Sequence, residues 1–446
     1  MKFRCAYIPI GVPTFHLECA KIEFDKSIDL LKELTKDVEF DYPEEMLLSI
    51  DKLNNFISGK TYDLIIVQNI TFANGAYMNE ILRKIDAPVV LWTLREPVID
   101  GTRLRLNSLT GAYSAGNVLH TYKRPFIYIF GSPTEEKTKQ EMNAAINAAK
   151  AKKSLNELNL LQIGHTPQGF GFGRALDKDI ATVFGANLVS IESRELIDIA
   201  KSFKDSEVEE YLLDAKKRIK NLDSIDEKNV KDFGRLYKAY AEYIEKNNIG
   251  ALSSRCWPDF FTSFGTPVCA VLSILNDLDI PSSCEADTYG ALTMYIAKCL
   301  TNKPSFFGDP VSMDETENTI TFWHCGMAAC SLARVDTGAK AGVHCNRKIG
   351  PTLEFGCKEE EKVTIVRVGI DENNKFRVFV STGKAIDKPQ QFYGTSIVVK
   401  TTNDARNIVE STVIDGWEPH FAIAMGDISK EIEDLCTFLK LDCYKF

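Results

Sequence analysis

Over the first 125 residues, short apolar runs alternate with amphipathic stretches. Residues 3–10, 63–69 and 88–93 are apolar, and a helical period runs near 17–36 and again near 74–85. Apolar runs of strand length separated by helix-length segments predict a parallel α/β domain. A strand covered on both faces reads as continuous hydrophobic residues, and each crossover needs a helix. A second unit of this kind opens at 125–130 and continues with a helix over 133–152 and strand-like runs at 159–164 and 187–191. Residues 193–247 read as largely helical, and the charged middle around 223–232 as a solvated helix–loop–helix. The runs 250–255, 268–275, 281–285, 286–300, 305–309 and 319–325 then read as strand, helix, strand, helix, strand, strand. From about 335 the texture changes. Runs at 363–369 and 375–381, separated by Ile370-Asp371-Glu372-Asn373-Asn374, predict a β-hairpin, followed by a strand over 391–400 and a closing helix near 427–440. The expected architecture is α/β, with doubly wound parallel-sheet domains at 1–124 and 125–334 and a β-rich, mostly antiparallel domain at 335–446.

Bulk properties narrow the class. At 446 residues the chain exceeds what one hydrophobic core usually organises. The formal charge of -9, with no Lys/Arg-rich stripe carrying interleaved aromatics, argues against a nucleic-acid partner. The N-terminal apolar stretch is broken by Pro9 and Pro13 and has the length of a first strand, not of a signal peptide. The uncharged run 260–276 contains Gly265 and Pro267 and falls short of the roughly 20 apolar residues of a membrane helix. A cytoplasmic protein with no membrane partner is expected. Its 12 cysteines form no C-x-x-C pair and lie mostly in apolar runs, so they read as buried free thiols.

The candidate chemistry is concentrated after residue 250. Glu285 in Cys284-Glu285-Ala286-Asp287 and Asp309 in Phe306-Phe307-Gly308-Asp309-Pro310 each end a strand-like run, with one helix-length segment between them. In a parallel βαβ unit, side chains leaving the carboxyl ends of neighbouring strands converge on one crevice. Asp287 also suits a helix N-cap, and Asp309-Pro310 a turn. His420, in Trp417-Glu418-Pro419-His420, supplies a third ligand if the C-terminal region folds back. Two carboxylates and an imidazole suit a Mn²⁺-like ion with positions left for substrate oxygens. His324, in Trp323-His324-Cys325, fits a ligand, a substrate contact or a buried histidine bonded to backbone. The glycines of Gly169-Phe170-Gly171-Phe172-Gly173 have the wrong spacing for a dinucleotide loop and read as loop packing.

Taken together, Glu285, the Phe-Gly-Asp309-Pro and Trp-His324-Cys325-Gly segments, the upstream Arg255-Cys256-Trp257-Pro258-Asp259 and His420 resemble the L-fucose isomerase and L-arabinose isomerase type of aldose–ketose isomerase. The resemblance covers most of the chain. It implies two Rossmann-like domains followed by a barrel-like C-terminal domain, and a Mn²⁺-dependent sugar isomerase (Co²⁺ or Mg²⁺ as substitutes) working through a cis-enediol. It further implies a trimer or hexamer with the active site at a subunit interface. By the same resemblance Glu285, Asp309 and His420 are metal ligands, Glu285 and Asp309 form the acid/base pair, and Cys256, Trp257, His324 and Cys325 contact substrate. The first loop, 11–18 with His16, lacks the arginine-rich character associated with the fucose enzyme. Trp92 joins His16 as a candidate for shaping the pocket, and the sugar expected is therefore not tied to fucose. Moving hydrogen between C1 and C2 of an aldose needs a base for a carbon-bound proton and an acid for the neighbouring oxygen, which two carboxylates can supply. A non-catalytic sugar-binding protein, and a metal-dependent epimerase or lyase acting on a sugar or a charged sugar derivative, are the alternatives.

Overall fold

The computed structural model describes residues 2–446, which divide into two compact units. The first covers the chain up to Lys153 together with Lys430–Lys440, and the second covers Ser154–Ser429 and Leu441–Phe446.

In the first unit, β1 (Arg4–Ile10), β2 (Glu39–Asp41), β3 (Leu64–Asn69), β4 (Val89–Thr93) and β5 (Phe126–Phe130) form an all-parallel sheet in the order β2-β1-β3-β4-β5. Strands β3 and β4 are buried at every residue, as the continuous apolar runs predict for a sheet covered on both faces. The reading that begins the second domain at residue 125 is corrected here, because β5 pairs with β4 as the edge of the first sheet. Its alternation marks an edge position: Ile127 and Ile129 point inward while Tyr128 and Phe130 are exposed.

The second unit contains two sheets. β6 (Asn159–Ile163), β7 (Asn187–Ile191), β8 (Ala251–Ser254) and β9 (Ser282–Ser283) are parallel in the order β7-β6-β8-β9. The remaining strands are β10 (Phe306–Asp314), β11 (Thr319–His324), β12 (Lys340–Gly342), β13 (Thr352–Gly356), β14 (Glu360–Ile370), β15 (Phe376–Ile386), β16 (Thr395–Thr401), β17 (Phe421–Ala424) and β18 (Asp442–Lys445). Six of them close an antiparallel barrel in the order β16-β11-β10-β17-β14-β15, with β15 returning to β16. Strand β13 runs parallel to β16 and β18 parallel to β15, outside the closed ring.

Two expectations change here. Strands β10 and β11, read as part of the second α/β domain, belong to the barrel. The parallel rhythm ends with the helix Thr288–Thr301, capped by Asn302 in the left-handed region, and β10 then turns through Asp314–Thr319 into an antiparallel hairpin with β11. The closing helix, Ser429–Leu439, has most of its length in the segment that belongs with the first unit. The hairpin expected around 370–374 is present as β14 and β15, paired from Ile370↔Phe376 outward. All 12 cysteines are free, and none of the described helices is long and apolar enough to cross a membrane.

Candidate active site

Glu285 and Asp309 come together by a route other than adjacent parallel strands. Glu285 follows β9 in the parallel sheet, whereas Asp309 lies within β10 of the barrel. Strand β10 pairs with β17 through Phe306↔Ile423, Phe307↔Ala422 and Gly308↔Phe421. One further step of that register sets Asp309 opposite His420, and their side chains meet at 3.3 Å (Nε2 to Oδ1). The same Nε2 lies 3.1 Å from Glu285 Oε2. Gly308 permits the close strand approach, since a Cβ there would come within 2.4 Å of the Trp323 carbonyl oxygen.

The turn carrying Glu285 is strained. Glu285 (φ 58) and Ala286 (φ 53) are consecutive non-glycine residues in the left-handed region, at a cost on the order of 1–3 kcal/mol each. The strain is held by a backbone bond from Ala286 to the Ser254 carbonyl at the end of β8, and by the helix that follows. Asp287 caps that helix, accepting from the Gly290 N–H at 2.8 Å, in keeping with the N-cap reading.

Asp287 does more than cap. Arg367 on β14 donates to both of its oxygens, at 2.6 and 3.2 Å, and both side chains are essentially inaccessible to solvent. His420 Nδ1 lies 2.9 Å from Asp287 Oδ2. An Nδ1–H donated to a carboxylate fixes the imidazole so that Nε2 faces Glu285 and Asp309, the arrangement by which carboxylates orient metal-binding histidines. Sequence reasoning missed this role and missed Arg367, although an arginine inside the apolar run Val363-Thr364-Ile365-Val366-Arg367-Val368 is a visible anomaly.

The electrostatics follow from this arrangement. Burial disfavours ionisation of Glu285, but His420, His324 and the Trp257 indole outweigh it and hold the carboxyl below the usual range. Burial lifts Asp309 above its usual range, with His420 and His324 offsetting only part of the effect. Burial also opposes a charge on His420, yet the bonds to Asp287 and Glu285 overcome it and push the imidazole up to about 9. Two carboxylate oxygens therefore converge on one ring nitrogen, and only a proton or a cation between them relieves the repulsion. Glu285, His324 and His420 also offer ligand atoms within 4.8 Å of one another. Carboxylates and imidazoles facing one point, one of them oriented from behind, form a donor set that fits a divalent cation.

Other predicted residues take distinct places. The Trp257 indole N–H donates to Glu285 Oε1 at 2.9 Å, opposite the His420 contact. Cys256 is buried against Cys284. His324 is buried, with Nδ1 accepting from the Cys325 N–H at 2.9 Å and 3.5 Å from the Cys325 sulfur. The Gly169–Gly173 loop packs on the cluster: Phe170 meets the Trp257 ring edge-on at 5.7 Å and Phe172 meets the His420 ring at 5.3 Å. Trp92 and His16 belong to the first unit. Trp92 is buried in β4 with its indole N–H on the Gly131 carbonyl, and His16 caps the helix Leu17–Leu34 through Nδ1. A cavity of about 790 Å³ includes Val311, Trp323, Asn346 and Tyr393 in its lining. Trp323 is the cross-strand partner of Asp309, so this space opens one residue from the cluster.

No known family profile matches the chain. Full-length relatives are close. The sulfoquinovose isomerase of Clostridium sp. (strain MSTE9) is 53% identical over 442 residues, covering 99% of this chain and 98% of that one. Those of Priestia megaterium (strain ATCC 12872 / QMB1551) and Alkalicoccus urumqiensis are 37% and 36% identical, each over 98% of this chain and 97% of the relative. Among solved structures, a solute-binding protein of an ABC transporter from Burkholderia multivorans is 10% identical with a TM-score of 0.18, over 68% of this chain and 95% of that one, a likeness too weak to bear on the fold. The chain belongs to the sulfoquinovose isomerase family and is a sugar isomerase that interconverts an aldose and a ketose.

Proposed function

We propose that the protein interconverts sulfoquinovose, a six-carbon aldose whose C6 carries a sulfonate, with the corresponding 2-ketose through a cis-enediol. In this reading Glu285 and Asp309 form the proton-transfer pair. The observation that carries it is the convergence of Glu285 Oε2 and Asp309 Oδ1 on His420 Nε2, with the other ring nitrogen tied to the buried Asp287–Arg367 pair. Full-length identity to sulfoquinovose isomerases supports the choice of sugar.

Glu285, Asp309 and His420 would hold a divalent ion such as Mn²⁺, with His324 beside them. When bound, such an ion supplies Lewis-acid stabilisation of negative charge on the sugar oxygens. The protein's own groups do the rest. One carboxylate takes the proton from C2 of the open-chain aldose and returns a proton to C1, while the other moves the hydroxyl proton from O2 to O1; in the ketose direction the same transfers run in reverse, starting from C1. Trp257 keeps one Glu285 oxygen engaged and leaves the other toward the cluster, while Phe170 and Phe172 cover its edge and limit water.

Treatment with EDTA followed by reloading with Mn²⁺ tests this, with product followed by proton NMR on sulfoquinovose, L-fucose and L-arabinose. The reading predicts turnover of sulfoquinovose that is lost on chelation and restored by metal. Turnover of fucose or arabinose alone would contradict the sugar assignment, and activity indifferent to EDTA would contradict the metal.

A further inference from the structure

Arg347 stands beside the site and pairs with no carboxylate among the described residues. Its guanidinium carbon lies 5.3 Å from the Trp257 ring centroid and 4.8 Å from that of Phe261, and ring contacts stand in place of an ion pair. The neighbouring arginines are engaged: Arg255 with Asp259 at 2.9 Å, and Arg367 with Asp287. A half-buried guanidinium stacked on two rings keeps its charge and a fixed orientation, while its N–H groups remain available at the edge of the plane.

The turn presenting Arg347 is built to hold it. The His344 N–H donates to the Ile349 carbonyl at 2.9 Å, and the Lys348 N–H returns to the His344 carbonyl at 2.8 Å. Lys348 takes the left-handed conformation (φ 57) that closes the loop. Buried His344 packs edge-on against Phe261 at 5.1 Å, and its Nδ1 accepts the N–H groups of Asn346 and Arg347 at 3.2 and 3.4 Å. One indole separates the guanidinium from Glu285: Trp257 contacts Arg347 through its ring face and Glu285 through its N–H. An open-chain hexose with its reacting carbons at Glu285 and Asp309 can extend its far end past that ring. Asn346, next to Arg347, lines the 790 Å³ cavity that opens beside Asp309's strand partner.

Resting on the reading of the site as a sulfoquinovose isomerase, we propose that Arg347 is the specificity-determining residue that binds the C6 sulfonate, with the Trp257 and Phe261 rings fixing its guanidinium. A sulfonate is ionised throughout the working pH range and offers three oxygens to a planar donor that never deprotonates, so the contact discriminates by charge and shape.

The test compares wild type, Arg347→Met and Arg347→Lys on sulfoquinovose and on 6-deoxyglucose, which replaces the sulfonate by hydrogen. The expected result is a fall on the order of 100-fold in the ratio of kcat/KM for the charged sugar over the neutral one in Arg347→Met, expressed mainly in KM, with partial recovery in Arg347→Lys. Equal losses on both sugars in Arg347→Met would overturn the proposal and leave Arg347 a purely structural group. Wild type inactive on sulfoquinovose but active on another aldose would overturn the sugar assignment, and this proposal with it. Thermal melts confirm that each variant is folded before rates are compared.

Discussion

Each unit buries a polar network, and the two networks are made of different groups. In the first unit, Tyr7 donates to the Gln68 side-chain oxygen at 2.5 Å, Gln68 donates to Ser27 at 3.0 Å, and Ser27 donates to the Glu23 carbonyl at 2.7 Å. Every member is neutral and satisfied, so the network joins β1, β3 and the helix Leu17–Leu34 without storing charge. In the second unit the chain Arg367, Asp287, His420, Glu285 is ionisable from end to end, and it emerges where the Glu285 and Asp309 side chains keep 14% and 31% of their surface exposed. A neutral network fixes structure. A buried charged network that ends at solvent holds groups ready for proton transfer and cation binding, at a cost in desolvation.

The largest effect that would sharpen this contrast is on catalysis. On the proposed roles, Glu285→Gln and Asp309→Asn should each lower kcat by about 10²–10⁴-fold with the melting temperature nearly unchanged, since each would lose the proposed proton-transfer group and no buried packing. Steady-state rates and a melt on the same preparations measure both. Next comes the buried end of the network. Arg367→Met leaves the Asp287 charge without its guanidinium and should destabilise the fold by about 3–5 kcal/mol in urea titrations. Asp287→Asn frees His420 and should weaken Mn²⁺ binding by about 10–100-fold, read by titration calorimetry.

The first unit should respond in stability only. Gln68→Leu strands the buried Tyr7 hydroxyl, while the Ser27 hydroxyl keeps its bond to the Glu23 carbonyl, and should cost about 1–3 kcal/mol while kcat per folded molecule holds. A drop in kcat without loss of stability would break the comparison. One charged group in the first unit gives the smallest effect. Burial pushes the Asp434 carboxyl up to about 6, the bond from Lys430 offsets only part of the rise, and its second oxygen has no partner among the described residues. A carboxyl raised from its ordinary 3.8 favours the fold at pH values below about 4, and that contribution is lost as pH rises through about 6. Asp434→Asn should therefore gain on the order of 1–2 kcal/mol over wild type at pH 8 and little at pH 4, measured by denaturant titration at both.

How much of this was legible in the sequence depended on range. Local periodicity found β1, β3, β4 and the β14–β15 hairpin, because each run's burial is set by its own alternation or continuity. Pairing is not local. The run at 126–130 has the same apolar look whether it opens a new sheet or edges an old one, and only its partner β4 decides. Glu285, Asp309 and His420 were legible as chemistry, since a carboxylate or histidine beside bulky apolar residues draws attention. The reason they meet was not: the sequence suggested neighbouring parallel strands, whereas the β10–β17 register in a barrel brings Asp309 to His420. Asp287 read correctly as a helix cap, but its bonds to Arg367 and His420 join it to residues 80 and 133 positions away. The Arg347 turn gave no sequence signal, because a guanidinium stacked on two rings is recognisable only once the rings are placed.

In the proposed mechanism the charged network ending at Glu285 and Asp309 moves the substrate's carbon-bound proton. Its most direct test is solvent exchange: wild type, Glu285→Gln and Asp309→Asn, matched for bound Mn²⁺, are incubated with sulfoquinovose in D₂O and followed by proton NMR. Wild type should place deuterium at C2 of the aldose and C1 of the ketose, and neither variant should do so at a comparable rate. Exchange persisting near the wild-type rate in both variants would contradict it.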